Sequence, residues 1–379
     1  MRIVIGADHR GFELKQQLVS ILSREDYEIL DVGAGAYVKT DDYPVFAFRV
    51  GREVSMGAKE QENVVGILAC GSGIGMSMAI NKLPRLRAAL IDSVEQAKQD
   101  RIEHDSNCLI LEADEKTGKD YEQLVLAWLE TKFAGGRHLR RVNQLKFQEK
   151  LLYLPYSFGK LVIPAIMEKE EEMFYRNLEK FYRETSTYPL LNIDIAEKKF
   201  VGADTVSAEV VIGKLHELER SHSEQLFSVH LMLENPKSVL EKLNGLKNVY
   251  LVYVHAEAEL GNIFAQEWSF SLALVLNPDT EPSRAEKYFK HLYAVQLMTV
   301  SPGRQGRRFM PEVLLKSKEL KNLGFSGEIH IDGGVNAETI PLILREGRID
   351  LFNAGSALVG DEDPKGEFFN LLELVNAKN

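Results

Sequence analysis

Short apolar runs recur along the chain, and polar stretches with apolar positions returning every three or four residues separate them. In the first 133 residues the runs are "RIVIGAD" (2–8), "YEILDVG" (27–33), "NVVGILAC" (63–70), "RAALID" (87–92) and "SNCLILEA" (106–113). All are rich in β-branched residues, and "GFELKQQLVSILSRE" and "DYEQLVLAWLETKF" carry the period of amphipathic helices. Near-continuous apolar strands joined by helical crossovers predict a parallel sheet covered on both faces. The fold class is α/β, beginning with a five-stranded, Rossmann-like αβα sandwich. Such sheets bind ligands at the carboxyl ends of their strands, where Asp8, His9, Cys70, Gly71 and Ser72 fall.

A basic stretch, "LRRVNQLKFQEKLLYLPYSFGK" (139–160), then breaks the pattern, and Pro155 and Gly159 mark the predicted crossing between domains 1–152 and 153–379. Eight further runs follow: "LVIPAIM" (161–167), "LLNIDIA" (190–196), "FSVHLML" (227–233), "VYLVYVHAE" (249–257), "SLALVLN" (271–277), "AVQLMTV" (294–300), "EIHIDGG" (328–334) and "DLFNAGS" (350–356). Segments such as "ENPKSVLEKLNGL" and "MPEVLLKSKELKNLG" separate them as helices. Eight strand–helix units in this span predict a TIM (β/α)₈ barrel, whose chemistry lies at the carboxyl ends of its strands. Asp194, His230, His255, Asp332 and Ser356 occupy such ends.

Composition narrows the classes. An apolar fraction of 45% and a charged fraction of 27% are those of a soluble globular protein. No apolar run approaches the roughly 18 residues of a membrane span, and "MRIVIGADHRG" meets Asp8, His9 and Arg10 too soon for a signal peptide. Two cysteines without a CxxC pair suit a reducing, cytoplasmic setting. A net charge of −10 argues against nucleic acid as a partner and directs attention to local cationic groups that could hold small anions.

One such place is "ILACGSGIGMS" (67–77). A glycine-rich turn between a strand and a helix offers backbone N–H groups to an anion. The spacing is not that of a dinucleotide fingerprint. On these residues alone the turn also reads as a plain structural turn, and Cys70 as packing at a strand end; Cys108 reads as core. "EHDSN" (103–107) adds His104 before a strand, and "GGRHLRR" (135–141) puts Arg137 and Arg141 on one helical face, where two guanidiniums suit a phosphate dianion.

Taken together, "GADHRGFELK", "DDYP", "CGSGIGMSMAINK", "EHDSN" and "GGRHLRRV" make residues 1 to about 150 resemble the type B ribose-5-phosphate isomerase family, which includes galactose-6-phosphate isomerase subunits. The resemblance implies an aldose–ketose isomerase acting through an enediolate, without cofactor or metal, most directly on ribose 5-phosphate to give ribulose 5-phosphate. Cys70 would be the base, and Ser72 with the N–H groups of Gly71, Gly73 and Gly75 would hold the oxyanion. His104, helped by Asp8, would open the sugar ring. His9, Arg137 and Arg141 would grip phosphate with His138 nearby, and Tyr43 and Asn107 would line the sugar. Placement of Cys70 near cationic groups and a helix N-terminus predicts a lowered thiol pKa. Homodimers or higher homo-oligomers whose sites combine two subunits are also implied.

In the second half, "VHLMLENP", "LVLNPDT", "LMTVSPG" and "IDGGVNAETI" make residues 161–360 resemble ribulose-phosphate 3-epimerase and its allulose-6-phosphate relatives. That resemblance implies Asp194 and Asp332 as opposed proton-transfer groups at C3. Both would join His230 around a divalent metal, zinc or another, and Gly303, Gly306, Gly334, Gly355 and Ser356 would meet phosphate. The motif departs from the family at Asn192, which stands where a histidine ligand is expected. Two alternatives accompany this reading: a hexose-phosphate isomerase (galactose 6-phosphate or allose 6-phosphate) with a non-catalytic phosphosugar-binding barrel, and a phosphosugar sensor without turnover.

Overall fold

The computed structural model describes residues 1–25, 27–59, 63–114, 120–152, 154, 159–184, 187–221, 223–302 and 308–377. The chain divides into two compact units, Met1–His138 and Leu139–Asn379. The helix Arg137–Leu151 begins at that division, and the expected boundary at 152/153 lies at its far end. Pro155 lies outside the described residues.

In the first unit, strands β1 (Arg2–Ala7), β2 (Glu28–Asp31), β3 (Val64–Cys70), β4 (Ala88–Leu90) and β5 (Cys108–Glu112) form one parallel sheet in the order β2-β1-β3-β5-β4. Each lies within the apolar run that predicted it. Strand side chains alternate between faces, so Ile3, Ile5, Ile67 and Leu109 pack with Leu18 and Trp128 on one side. Val4, Leu68, Cys70, Cys108 and Ile110 pack with Phe46, Val50 and Met76 on the other. The chain leaves β1 for β2 on one side and returns to β3 on the other. The switch point therefore falls between the ends of β1 and β3, where Ala7 pairs with Ala69, and an open α/β sheet has its ligand crevice at such a point.

The second unit is a closed barrel of eight parallel strands: β6 (Leu161–Ile166), β7 (Leu190–Ala196), β8 (Leu226–Met232), β9 (Val249–His255), β10 (Ser271–Leu276), β11 (Ala294–Met298), β12 (Glu328–Asp332) and β13 (Leu351–Ala354). All eight predicted strands are present. The connection from β10 to β11 carries a 3-10 stretch, Pro282–His291, in place of an α-helix. Among the described residues no helix is long and apolar enough to cross a membrane.

Candidate functional site

Two clusters of chemically active side chains stand out, one in each unit. In the first, Cys70 ends β3 with only 5% of its surface exposed. Burial pushes its thiol above the ordinary value of 9.0, while the N–H groups of Met76 and Gly73 point at the sulfur and oppose that rise. The expected lowering is therefore corrected: desolvation outweighs the cradle and the nearby Arg10 cation. Asp8, also buried, accepts from the N–H groups of Arg10 and Gly11 at 3.0 Å each, which fixes the turn after β1. His9 is held by Asp41, whose Oδ1 accepts the His9 backbone N–H at 2.9 Å and lies 2.7 Å from Nδ1. That contact leaves Nε2 as the ring nitrogen for a ligand.

The glycines have specific reasons. Gly73 adopts φ 72° as it opens the helix Ile74–Ile80. A Cβ on Gly71 would come within 2.5 Å of the Arg10 guanidinium carbon, and one on Gly75 within 2.6 Å of the Tyr43 ring. The turn thus carries Arg10 on one side and Tyr43 on the other. Ser72 is exposed at its tip.

The remaining first-unit candidates lie elsewhere. In the β3–β5 register Gly66 faces Cys108 and Cys70 faces Glu112. His104 and Asn107 precede β5, so they belong to the opposite edge of the sheet, about 13 Å or more from Cys70 at roughly 3.3 Å per residue. The Ala134 N–H donates to Ile102 O at 3.1 Å, so the segment leading into Arg137 and His138 is at that edge too. His104 is an exposed side chain with Nδ1 3.7 Å from the buried Asp100. Asp100 is itself fixed by the Trp128 indole N–H at 3.0 Å and by Ser106 Oγ. The Asn107 carboxamide accepts from Arg87 N at 2.8 Å and donates to Arg85 O at 2.7 Å, which braces the turn before β4. Arg137 and Arg141 are exposed one turn apart on their helix, and His138 is buried. One chain therefore gathers Cys70, Ser72, Gly71, Gly73, Gly75, Asp8, His9 and Tyr43, and it holds His104, Asn107, Arg137 and His138 apart from them.

In the barrel a single mouth collects its candidates. Asp194, His230 and Asp332 point inward from the ends of β7, β8 and β12, with ligand atoms within 4.8 Å of one another. His230 Nδ1 lies 3.4 Å from Asp194 Oδ1 and 3.3 Å from Asp332 Oδ2. Desolvation would lower the His230 pKa, but the two carboxylates win and push it up to about 9. Burial, joined by the charge of Asp332, raises Asp194. Behind His230, its Nε2 meets His255 Nε2 at 2.9 Å, and His255 Nδ1 faces Glu257 at 3.4 Å. Burial and the neighbouring His230 charge drop His255 to about 4, so His255 is the neutral acceptor of that pair. Gln296 donates to Asp332 Oδ2 at 3.3 Å and accepts from Asn353 at 2.7 Å. Gly334, Gly355 and Ser356 line the same mouth beside Met167, Met232 and Met298. Gly303 and Gly306 lie outside the described residues.

The donor set fits a divalent cation through three groups. His230 Nδ1 is buried with no hydrogen-bond acceptor and sits between two carboxylate oxygens, an arrangement that a proton or a metal ion satisfies. Asn192 does not complete the set: its Nδ2 donates to Asp194 Oδ1 at 2.7 Å, while its Oδ1 accepts from Ser228 at 2.9 Å.

Sequence reasoning missed Arg10, Asp41, Glu257, Gln296 and Asn353. Arg10 and Asp41 stand inside "GADHRG" and "DDYP", and Gln296 and Asn353 share the inward face of their strands with Asp332, to which strand alternation assigns them.

Comparisons with known proteins agree with this division. Residues 3–145 match the family model described as Ribose/Galactose Isomerase, and residues 162–359 match the Ribulose-phosphate 3 epimerase family. The chain is 35% identical over 148 residues to "Probable ribose-5-phosphate isomerase B" of Mycoplasma genitalium, covering 39% of this chain and 95% of that protein. It is 34% identical over 145 residues to ribose-5-phosphate isomerase B of Escherichia coli, covering 38% and 93%. A crystal structure of the Mycoplasma genitalium enzyme with bound ribulose-5-phosphate aligns over 38% of this chain and 93% of its own, at 34% identity and a TM-score of 0.36. The chain belongs to the ribose/galactose isomerase family through its first unit and to the ribulose-phosphate 3 epimerase family through its barrel.

Proposed function

We propose that the first unit interconverts ribose 5-phosphate and ribulose 5-phosphate, and that the barrel epimerises the ketose at C3 to xylulose 5-phosphate. The observation that carries the first step is Cys70 at the switch point, with backbone N–H groups aimed at its sulfur and Asp8, His9 and Arg10 around it. As thiolate, Cys70 takes the proton from C2 of the open-chain aldose. The electron pair moves into an enediolate, the hydroxyl proton passes from O2 to O1, and the carbon-bound proton returns at C1. Ser72 and the turn N–H groups would steady the oxyanion, and the His9 Nε2 edge would meet the phosphate. His104 and Arg137 would act from a second copy of the chain, consistent with their end of the sheet, and Arg141 would join Arg137 from the same helix. Cys70→Ala should lower isomerisation by about 10²–10⁴-fold while ribose 5-phosphate still binds. Near-unchanged turnover in a coupled ketose assay would refute the assignment.

In the barrel, proton removal on one face of C3 and delivery on the other requires two carboxylates in opposite protonation states. Asp194 is raised by burial and by the charge of Asp332, which suits it to the proton-holding role, with Asp332 as the opposed group. Asp194, His230 and Asp332 would hold a divalent cation, and such an ion supplies charge stabilisation for the enediolate. One observation favours a second reading, a barrel that binds phosphosugar without turnover: the Asn192 amide occupies Asp194 Oδ1. Epimerisation of ribulose 5-phosphate, assayed with and without added manganese or zinc and repeated with Asn192→His, separates the two. Turnover in the unmodified chain supports the epimerase, and turnover appearing only in the variant supports the binding barrel.

A further inference from the structure

Beyond β9 the chain turns through residues 256–261, and this turn and the 3-10 stretch Pro282–His291 together line an open cavity of about 420 Å³. A 3-10 helix repeats every three residues, so its side chains fall into columns. Pro282, Ala285 and Tyr288 form the inward column; Arg284 and Lys287 share the next one and both face the cavity. Glu286 belongs to the third column. Arg284 Nε donates to Ala256 O at 3.1 Å, which anchors the guanidinium and leaves its terminal nitrogens for another acceptor. Lys287 Nζ rests 4.7 Å from the Tyr288 ring centroid. Among the described residues neither cation pairs with a carboxylate, and the N–H groups of Leu260 and Gly261, two residues that line the cavity, have no protein acceptor. Gly261 has φ 46°, a left-handed setting that also occurs in anion-binding turns. The carboxylates of the same turn are engaged elsewhere, Glu257 with Thr280 and Glu259 with Asn235, which leaves Arg284 and Lys287 as the cations facing the cavity.

We propose that this cavity is a second anion site of the barrel, taking the phosphate monoester of a small phosphorylated metabolite. Arg284 would clamp two phosphate oxygens and Lys287 would supply a point charge. The Tyr288 ring and Leu260 form an apolar wall for the carbon skeleton. The volume is within the range of metabolite pockets, about 300–1,000 Å³. The site shares no lining residue with the barrel mouth, where Asp194, Asp332 and Ser356 lie. Glu257, which faces His255 behind His230, belongs to the same turn as the cavity.

Equilibrium dialysis of the full chain against radiolabelled inorganic phosphate tests this. The paired variant Arg284→Ala/Lys287→Ala should bind one phosphate fewer per chain than the parent. The charge-conserving pair Arg284→Lys/Lys287→Arg should keep it, and both variants should unfold at the parental temperature. If the alanine pair does not fold, Lys287→Glu alone should weaken one phosphate class at least tenfold. Equal stoichiometry and affinity in parent and alanine pair, or equal loss in the charge-conserving pair, would overturn the proposal. Neither outcome depends on whether the chain isomerises or epimerises sugar phosphates.

Discussion

The open sheet and the closed barrel assemble their chemistry differently. In the barrel all eight strands end at one mouth, so residues from β7, β8 and β12 meet within 4.8 Å inside a single chain. In the open sheet, helices return the chain to the far edge before every strand. Residues that follow strands, such as Asp8 and Cys70, are thereby separated from residues that precede them, such as His104 and Asn107. The barrel therefore brings its candidates together within one chain. The proposed sheet site, which uses both ends of the strands, would need a second copy to present its far end to the first.

The same contrast appears in the electrostatics. The barrel buries an imidazole between two carboxylates, and they push its pKa up to about 9. The sheet buries a lone thiol whose nearest help is backbone N–H groups, and burial wins.

The largest expected effect isolates the barrel. Asp332→Asn should cut epimerisation by about 10²–10⁴-fold and leave isomerisation untouched, as measured by separate xylulose and ribulose 5-phosphate assays. If both activities fell together, the two units would not be chemically independent. Next comes pH. The proposed base, Cys70, acts only when ionised and its pKa is raised, so isomerase kcat/KM should climb about tenfold per unit of pH until the pH passes the Cys70 pKa. A profile already flat at neutrality would show that the thiol is ionised there after all. Smallest is Gly75→Ala, whose Cβ would meet the Tyr43 ring at 2.6 Å. Overpacking of this kind costs about 1–3 kcal/mol, and thermal unfolding of the first unit should shift down while the barrel transition stays.

Apolar periodicity was enough to place the thirteen strands of the described residues, because buried parallel strands are continuously apolar and the helices between them are not. The site was legible where motif residues follow strands. For His104 the signal was also present, since it precedes a strand, but motif order along the chain does not show which edge of the sheet a residue reaches. The Cys70 thiol was misjudged because a helix N-terminus and a nearby arginine are visible in sequence, whereas desolvation by Phe46, Met76 and Ile110 across the sheet face is not. Asn192 was visible as a departure; its bond to Asp194 follows from both side chains pointing inward two residues apart.

Mixing two inactive variants tests the central claim most directly. Cys70→Ala and His104→Ala are each expected to be nearly inactive as ribose-5-phosphate isomerases. Unfolded together and refolded, they should recover about a quarter of parental activity, because half the dimers of a two-fold assembly would be mixed, each with one intact site. A mixture no more active than its components would contradict a site shared between two copies of this chain.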